Sequence, residues 1–206
     1  MVNPKPITIE TARAVLDSDE AMIATYVGSE KTYVWAASRE GDIEFAVVDI
    51  SHKTLLETVQ NLRLALEPDA TTLGDIPDFD LTTAYKLYTK ILKPVEAAWK
   101  GKKSLLVVAH GPLGHLPFSL LPTKPVNLKS DVKPLFANYR NVPWLARSHA
   151  VTMLPSAASL RTLRLLPKGT ETRTAFVGFA DPWFSQPQVS VEESTPKKTT
   201  KVAKLT

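Results

Sequence analysis

The sequence predicts an α/β fold: a sheet layered between helices, with a small antiparallel β-meander ahead of it. Three observations carry the prediction. Residues 21–49, AMIATYVGSEKTYVWAASREGDIEFAVVD, are three β-branched and aromatic runs separated by polar, glycine-containing breaks. Leu105 to Ala109 (LLVVA) is a short apolar run without alternation, as a strand covered on both faces requires. Beyond it, HAVTMLP, SAASLRTLRLL and TAFVGF read as strand, helix and strand, the repeating unit of a layered sheet.

In chain order, the breaks Gly-Ser-Glu-Lys and Arg-Glu-Gly-Asp turn the first three strands into a meander. Period-two alternation puts Tyr33 and Trp35 on one face of the second strand and Thr32, Val34 and Ala36 on the other. A helix follows: Ser51 caps it, Leu55, Val59, Leu62 and Leu66 recur at helical spacing, and Pro68 ends it. After a polar loop, TTLGDIPDFD, Asp80 caps a second helix carrying Ala84, Leu87, Tyr88, Ile91, Val95 and Trp99. Pro94 is expected to kink that helix and Gly101 to stop it. The strand at 105–109 comes next, then a glycine-containing loop. Pro122 to Pro143, proline-rich and of mixed polarity, reads as a surface excursion. His149 to Pro155 is a strand, Ser156 caps the next helix, and Thr174 to Phe179 is a last strand. The expected domain spans residues 1–184, and residues 185–206, rich in Ser, Thr, Pro and Lys, form a disordered tail.

Composition narrows the function. At 44% apolar and 22% charged residues, the 206-residue chain has enough apolar material for a core. It contains no cysteine, which removes disulfides, thiolate metal sites and a cysteine nucleophile together. The N-terminus lacks the apolar run of a signal peptide and no stretch reaches the length of a membrane span, so a cytoplasmic chain without membrane contact is expected. Of the net charge of +4, the tail from Ser185 carries half, four lysines against Glu192 and Glu193, and nucleic acid is not an expected partner. No internal repeat of tetratricopeptide type occurs.

The segment SLLVVAHGPLGHLPFSLLP, Ser104 to Pro122, is where chemistry is weighed, because loops at the carboxyl ends of parallel strands hold the sites of α/β proteins. His110-Gly111 matches the way caspase-like enzymes present a general base after a strand. Against this, Leu113, Leu116, Phe118, Leu120 and Leu121 supply apolar anchors that fold the loop onto the sheet, leaving His110 and His115 as polar groups of a second layer. A base at His110 would need Ser119 or water as nucleophile, and Ser119 lacks the G-x-S-x-G elbow. The four histidines, His52, His110, His115 and His149, do not make a metal frame, and Gly111-x-x-Gly114 is no nucleotide fingerprint. No catalytic, metal or cofactor residue is therefore assigned, and no cofactor is expected. Tyr33, Trp35 and Phe45 read as core rather than as a stacking platform for bases.

The order AMIATYVGSEKTYVWAAS, VQNLRLAL, AYKLYTKILKPVEAAWKGKKSLLVVAHGPLGHLPFSLLP, WLARSHAVTMLPSAASLRTLR and AFVGFADPWF resembles the CHAT domain, over about residues 7 to 184. The most telling piece, LYTKILKPVEAAWKGKKSLLVVAHGPLGHLPFSLL, is similar to that family's helix, strand and G-x-L-x-x-L-P-F loop. The resemblance implies a caspase-like layered sheet flanked by helices, in bacterial cysteine peptidases often joined to tetratricopeptide repeats. In proteolytic members a His-Gly and a Cys lie beyond the segment corresponding to Val177–Pro182, and this sequence reaches Thr206 without either. The catalytic role is therefore not carried to His110-Gly111, which occupies the earlier loop. The expectation is an incomplete domain, the front of a cysteine endopeptidase whose partners are the repeats or the missing peptidase half. An inactive adaptor that binds a protein through the meander or the kinked helix is the alternative, and a serine- or metal-dependent hydrolase at His110, His115 and Ser119 the third. An incomplete sheet with an open edge at Thr174–Phe179 implies low solubility or self-association.

Overall fold

A computed structural model describes residues 7–128 and 133–166. Its elements are α1 (Ile9–Ala14), β1 (Glu20–Val27), β2 (Thr32–Ser38), β3 (Glu44–Val48), α2 (His52–Arg63), α3 (Leu81–Ile91), β4 (Ser104–Val108), β5 (Ala150–Met153) and α4 (Ala157–Leu165), joined by short 3-10 turns. The five strands form one sheet in the order β3-β2-β1-β4-β5. β1 pairs antiparallel with β2 and β2 with β3, whereas β4 lies parallel to both β1 and β5. The meander is thus not a separate appendage: β1 belongs to it and to the parallel half alike. This is a mixed α/β sheet flanked by helices, as the sequence predicts.

Helix starts follow local chemistry. Ser51, Asp80 and Ser156 each accept a backbone N–H three residues on, from Thr54, Thr83 and Ser159, which satisfies a donor the helix leaves orphaned. Thr8 does the same for Thr11 at α1, a short helix the sequence reading does not include. Pro94 has a stronger effect than a kink. α3 ends at Ile91, and Lys93–Ala98 continues as 3-10 turns broken at Val95, because proline cannot donate to the preceding turn. The apolar spacing survives the change, and Val95 and Trp99 are buried as predicted.

The main core lies on one face of the sheet. Ala21, Ile23 and Val27 of β1, Val34 and Ala36 of β2, and Leu105 and Val107 of β4 meet Leu55, Val59 and Leu62 of α2 and Ala84, Leu87 and Ile91 of α3. A smaller cluster on the other face joins Ala12 and Leu16 to Met22, Leu106 and Leu160 of α4. β4 is buried on both faces, which is why its sequence does not alternate. α4 is also held electrostatically: Arg164 bonds the carboxylate of Glu20 at 2.6 Å, lies 3.7 Å from Asp17 and donates to the Val15 carbonyl.

Two expectations are corrected. The aromatic residues of the meander are not core: Tyr33 and Trp35 are half-exposed and Phe45 is 51% exposed, because that strand parity faces away from α2 and α3. Nor is 122–143 only a surface excursion. Val142 is fully buried, Val126 and Leu128 pack on the core, and Pro122 bridges to Trp144. The predicted strand at Thr174–Phe179 and the tail from Ser185 lie outside the described residues.

Candidate functional site

β4 delivers the chain to the carboxyl end of the parallel strands, and the loop turns there on Gly111. Its φ of +61° is left-handed, and a Cβ would stand 3.6 Å from Val27 and 3.9 Å from the His52 ring. The following residues fold back onto the sheet as the apolar anchors predict: Leu113, Leu116, Phe118 and Leu121 are buried, and Leu120 is half-buried.

The two loop histidines are not a buried second layer; both are exposed. His110 is nevertheless fixed. Its backbone N–H donates to Thr25 Oγ1 at 3.1 Å, its ring stacks on Tyr26 with centroids 4.8 Å apart, and its Nδ1 accepts the Val27 N–H at 3.2 Å. A neutral imidazole has one unprotonated nitrogen, and here that lone pair is occupied by the backbone of β1, leaving Nε2 as the N–H. In this arrangement His110 serves as a latch between β4 and β1. His115 contributes its carbonyl, which accepts from Arg63 at 2.5 Å, and Ser119 is half-buried in the apolar turn. His52 opens α2, its N–H shared between the Gly28 and Ser29 carbonyls. Thus His110 and His52 come together around Gly111, His149 lies apart at the start of β5, and among the described residues no group of three His, Cys, Asp or Glu is placed to hold a metal ion.

Residues 81–205, more than half of the chain, match the family model of the CHAT domain. The chain belongs to the CHAT-domain family. The matched stretch opens with Leu81, the first residue of α3, so it takes in β4, the His110 loop, β5 and α4, while the meander and α2 precede it. CHAT domains form a caspase-like, peptidase-like family, and the layered sheet with its flanking helices fits that kind. No curated protein matches this chain. Among solved structures, the apo pSK41 ParM crystal structure is similar at 10% identity and a TM-score of 0.34, covering 74% of this chain and 40% of its own. The Alp12 filament structure is similar at 11% identity and a TM-score of 0.33, covering 75% and 50%. This CHAT chain therefore spans at most half the length of either, and likenesses this low bear on no function.

What the sequence reading missed at the site is the contact between β1 and the loop. Thr25, Tyr26 and Val27 each engage His110, and only the parallel β1–β4 pairing, with Ala24 opposite Val108, brings them there. Strand parity grouped Tyr33 with Trp35, but that their face is the outer one was not legible. Tyr33 stacks on Trp35 and Phe45 at 6.2 and 6.4 Å, and Tyr26 extends the row toward His110.

Among the described residues no helix is long and apolar enough to cross a membrane.

Proposed function

We propose that this CHAT chain is the non-catalytic front part of a peptidase-like protein whose complete form is a cysteine endopeptidase. The observation that carries the reading is the pairing of a CHAT match over residues 81–205 with a sequence that holds no cysteine. A thiolate nucleophile must then come from elsewhere, and the His110 ring is engaged by the β1 backbone rather than by a nucleophile. On this reading the sheet and the His110 loop support and shape the half that carries the His-Gly and the Cys, and the partners are that half and tetratricopeptide repeats. The test is to read the encoding locus and transcript past the codon for Thr206 and to assay the chain alone on peptide substrates. The expected result is an in-frame or frameshift-restored His-Gly and Cys, with no hydrolysis by this chain. Peptide cleavage by the cysteine-free chain would overturn the proposal.

One observation favours the alternative, an inactive adaptor that binds a protein partner. The outer face of the meander presents Tyr26, Phe45 and Val47, each about half exposed, as a continuous apolar surface. A stop codon at the locus with nothing downstream, and a chain that folds stably by itself, would move this reading ahead.

A further inference from the structure

A second site lies on the helical side of the sheet, away from His110. The end of α2, the loop before α3 and the segment 136–144 line an open, largely apolar groove of about 220 Å³, walled chiefly by Leu66, Ile76, Phe79, Phe136, Tyr139 and Trp144. Its four rings form a linked row. Phe79 meets Trp144 edge-on at 5.9 Å, Trp144 lies nearly parallel to Tyr139 at 6.3 Å, and Phe136 is tilted against Tyr139 at 6.2 Å. Phe136 joins the row with φ at 65°, a left-handed conformation that a bulky side chain rarely adopts.

Charge at this rim runs against the rest of the chain. Although the net charge is +4, residues 64–85 include Glu67, Asp69, Asp75, Asp78 and Asp80 and no lysine or arginine; of these Glu67 pairs with Arg63, Asp75 accepts from Thr72 and Asp80 caps α3, so the acid left facing the wall is Asp78. Asp78 is exposed beside the groove, 3.2 Å from the Tyr139 hydroxyl. Of the bases nearby, Arg63 is engaged by Glu67 and the His115 carbonyl and Arg147 by the Val142 and Arg140 carbonyls, while Arg140, exposed, follows Tyr139 in the wall segment. The polar atoms of the wall are also committed. Tyr139 Oη accepts the Phe79 N–H at 2.9 Å, and Trp144 Nε1 donates to the Tyr139 carbonyl at 3.2 Å. Apart from the Asp78 carboxylate the wall offers little to accept from a ligand, so one that brings several N–H donors would leave most of them unpaired, which is costly out of water. A cation without donors loses nothing and gains the ring quadrupoles and the acidic rim.

We propose that this groove binds a quaternary ammonium group. Its source is either a small choline-type molecule or a trimethylated lysine of a partner protein, and the chemistry the rings read is the same. The experiment titrates the full 206-residue chain and follows the Trp144 indole N–H resonance by NMR. The probes are choline, its neutral isostere 3,3-dimethylbutan-1-ol, and a trimethyllysine peptide beside its unmethylated counterpart. The expected result is saturable binding of choline, about tenfold tighter than the isostere, and weakened several-fold in Asp78→Asn, an exposed substitution that leaves the fold in place. Phe136→Leu should weaken it further. A trimethyllysine peptide that binds more tightly than choline assigns the source to a protein, and equal or weaker binding assigns it to a small molecule. Equal affinity for the neutral isostere, or no saturable shift of Trp144 with any ammonium probe, overturns the proposal.

Discussion

Replacing Arg164 with methionine should loosen α4 from the start of β1, and the size of the effect follows from the pair it breaks. Glu20 is 9% exposed, and its carboxylate accepts two bonds, from the Asp17 N–H at 2.8 Å and from Arg164 at 2.6 Å. Methionine keeps the apolar stem of the side chain and leaves one carboxylate oxygen without a donor. A charge-assisted bond contributes about 1.5–3 kcal/mol, and stripping one partner from a fully buried pair costs about 3–5 kcal/mol. Because the Arg164 side chain is 28% exposed, water recovers part of this, and a loss of about 2 kcal/mol is expected. For a unit of this size that lowers the melting temperature by roughly 4–8 °C. The bond from Arg164 is also the main reason the Glu20 carboxyl titrates below the usual glutamate range, with burial opposing it. A depressed folded-state pKa stabilises the fold above the unfolded value of 4.5, and that stability is lost as pH falls through the folded value. Urea titrations of the parent, Arg164→Met, Glu20→Gln and the double variant, at neutral pH and well below pH 4.5, test both parts. A coupling energy below about 0.5 kcal/mol, or a penalty for Arg164→Met that does not shrink on acidification, would refute the reasoning.

Three further outcomes are expected. Gly111→Ala forces a Cβ into a left-handed position and should destabilise the chain by about 1–2 kcal/mol, read by thermal melting; an unchanged melt would mean the turn relaxes freely. His149 is held below the usual histidine range, chiefly by burial, so the unfolded chain binds the extra proton and stability should fall as pH drops through 6.5. His149→Gln should flatten that part of the stability–pH curve. Phe45→Ser, which removes the ring contacts to Tyr33 and Trp35, should cost about 0.5–1.5 kcal/mol and reduce self-association seen by light scattering at tens of micromolar; a loss above about 3 kcal/mol would place Phe45 in a packed core.

The parts legible in the sequence were those governed by neighbours along the chain. Ser51, Asp80 and Ser156 announce helix starts because the capping bond spans only three residues. The unalternating run at 105–109 announces a strand covered on both faces. Misreadings came where a distant partner decides. Parity correctly separated Tyr33 and Trp35 from Val34, but which face meets α2 and α3 is set by packing of elements far along the chain, so the aromatic set was put in the core. The lone pair of His110 depends on Val27, 83 residues away, and no local pattern could have disclosed that it is occupied. Val142 and Tyr139 sit in a proline-rich stretch whose composition says loop, while their burial and bonding to the Asp78–Phe79 segment come from the fold.

The dual membership of β1 also sets a timetable for synthesis. Its hairpin with β2 forms from adjacent sequence, but its other edge waits for β4, since Glu20 pairs with Ser104. At roughly 5–20 residues per second, a nascent chain carries that edge open for about 4–17 s after β1 has emerged. During that interval Ala21 and Ile23, which end fully buried, stand in a half-built sheet beside an unpaired backbone. The step that ends the exposure is the arrival of Leu105–Val108, whose pairing also sets the His110 latch. A ribosome paused ahead of that segment would prolong the open edge of β1, and faster decoding of the codons between α3 and β4 would shorten it.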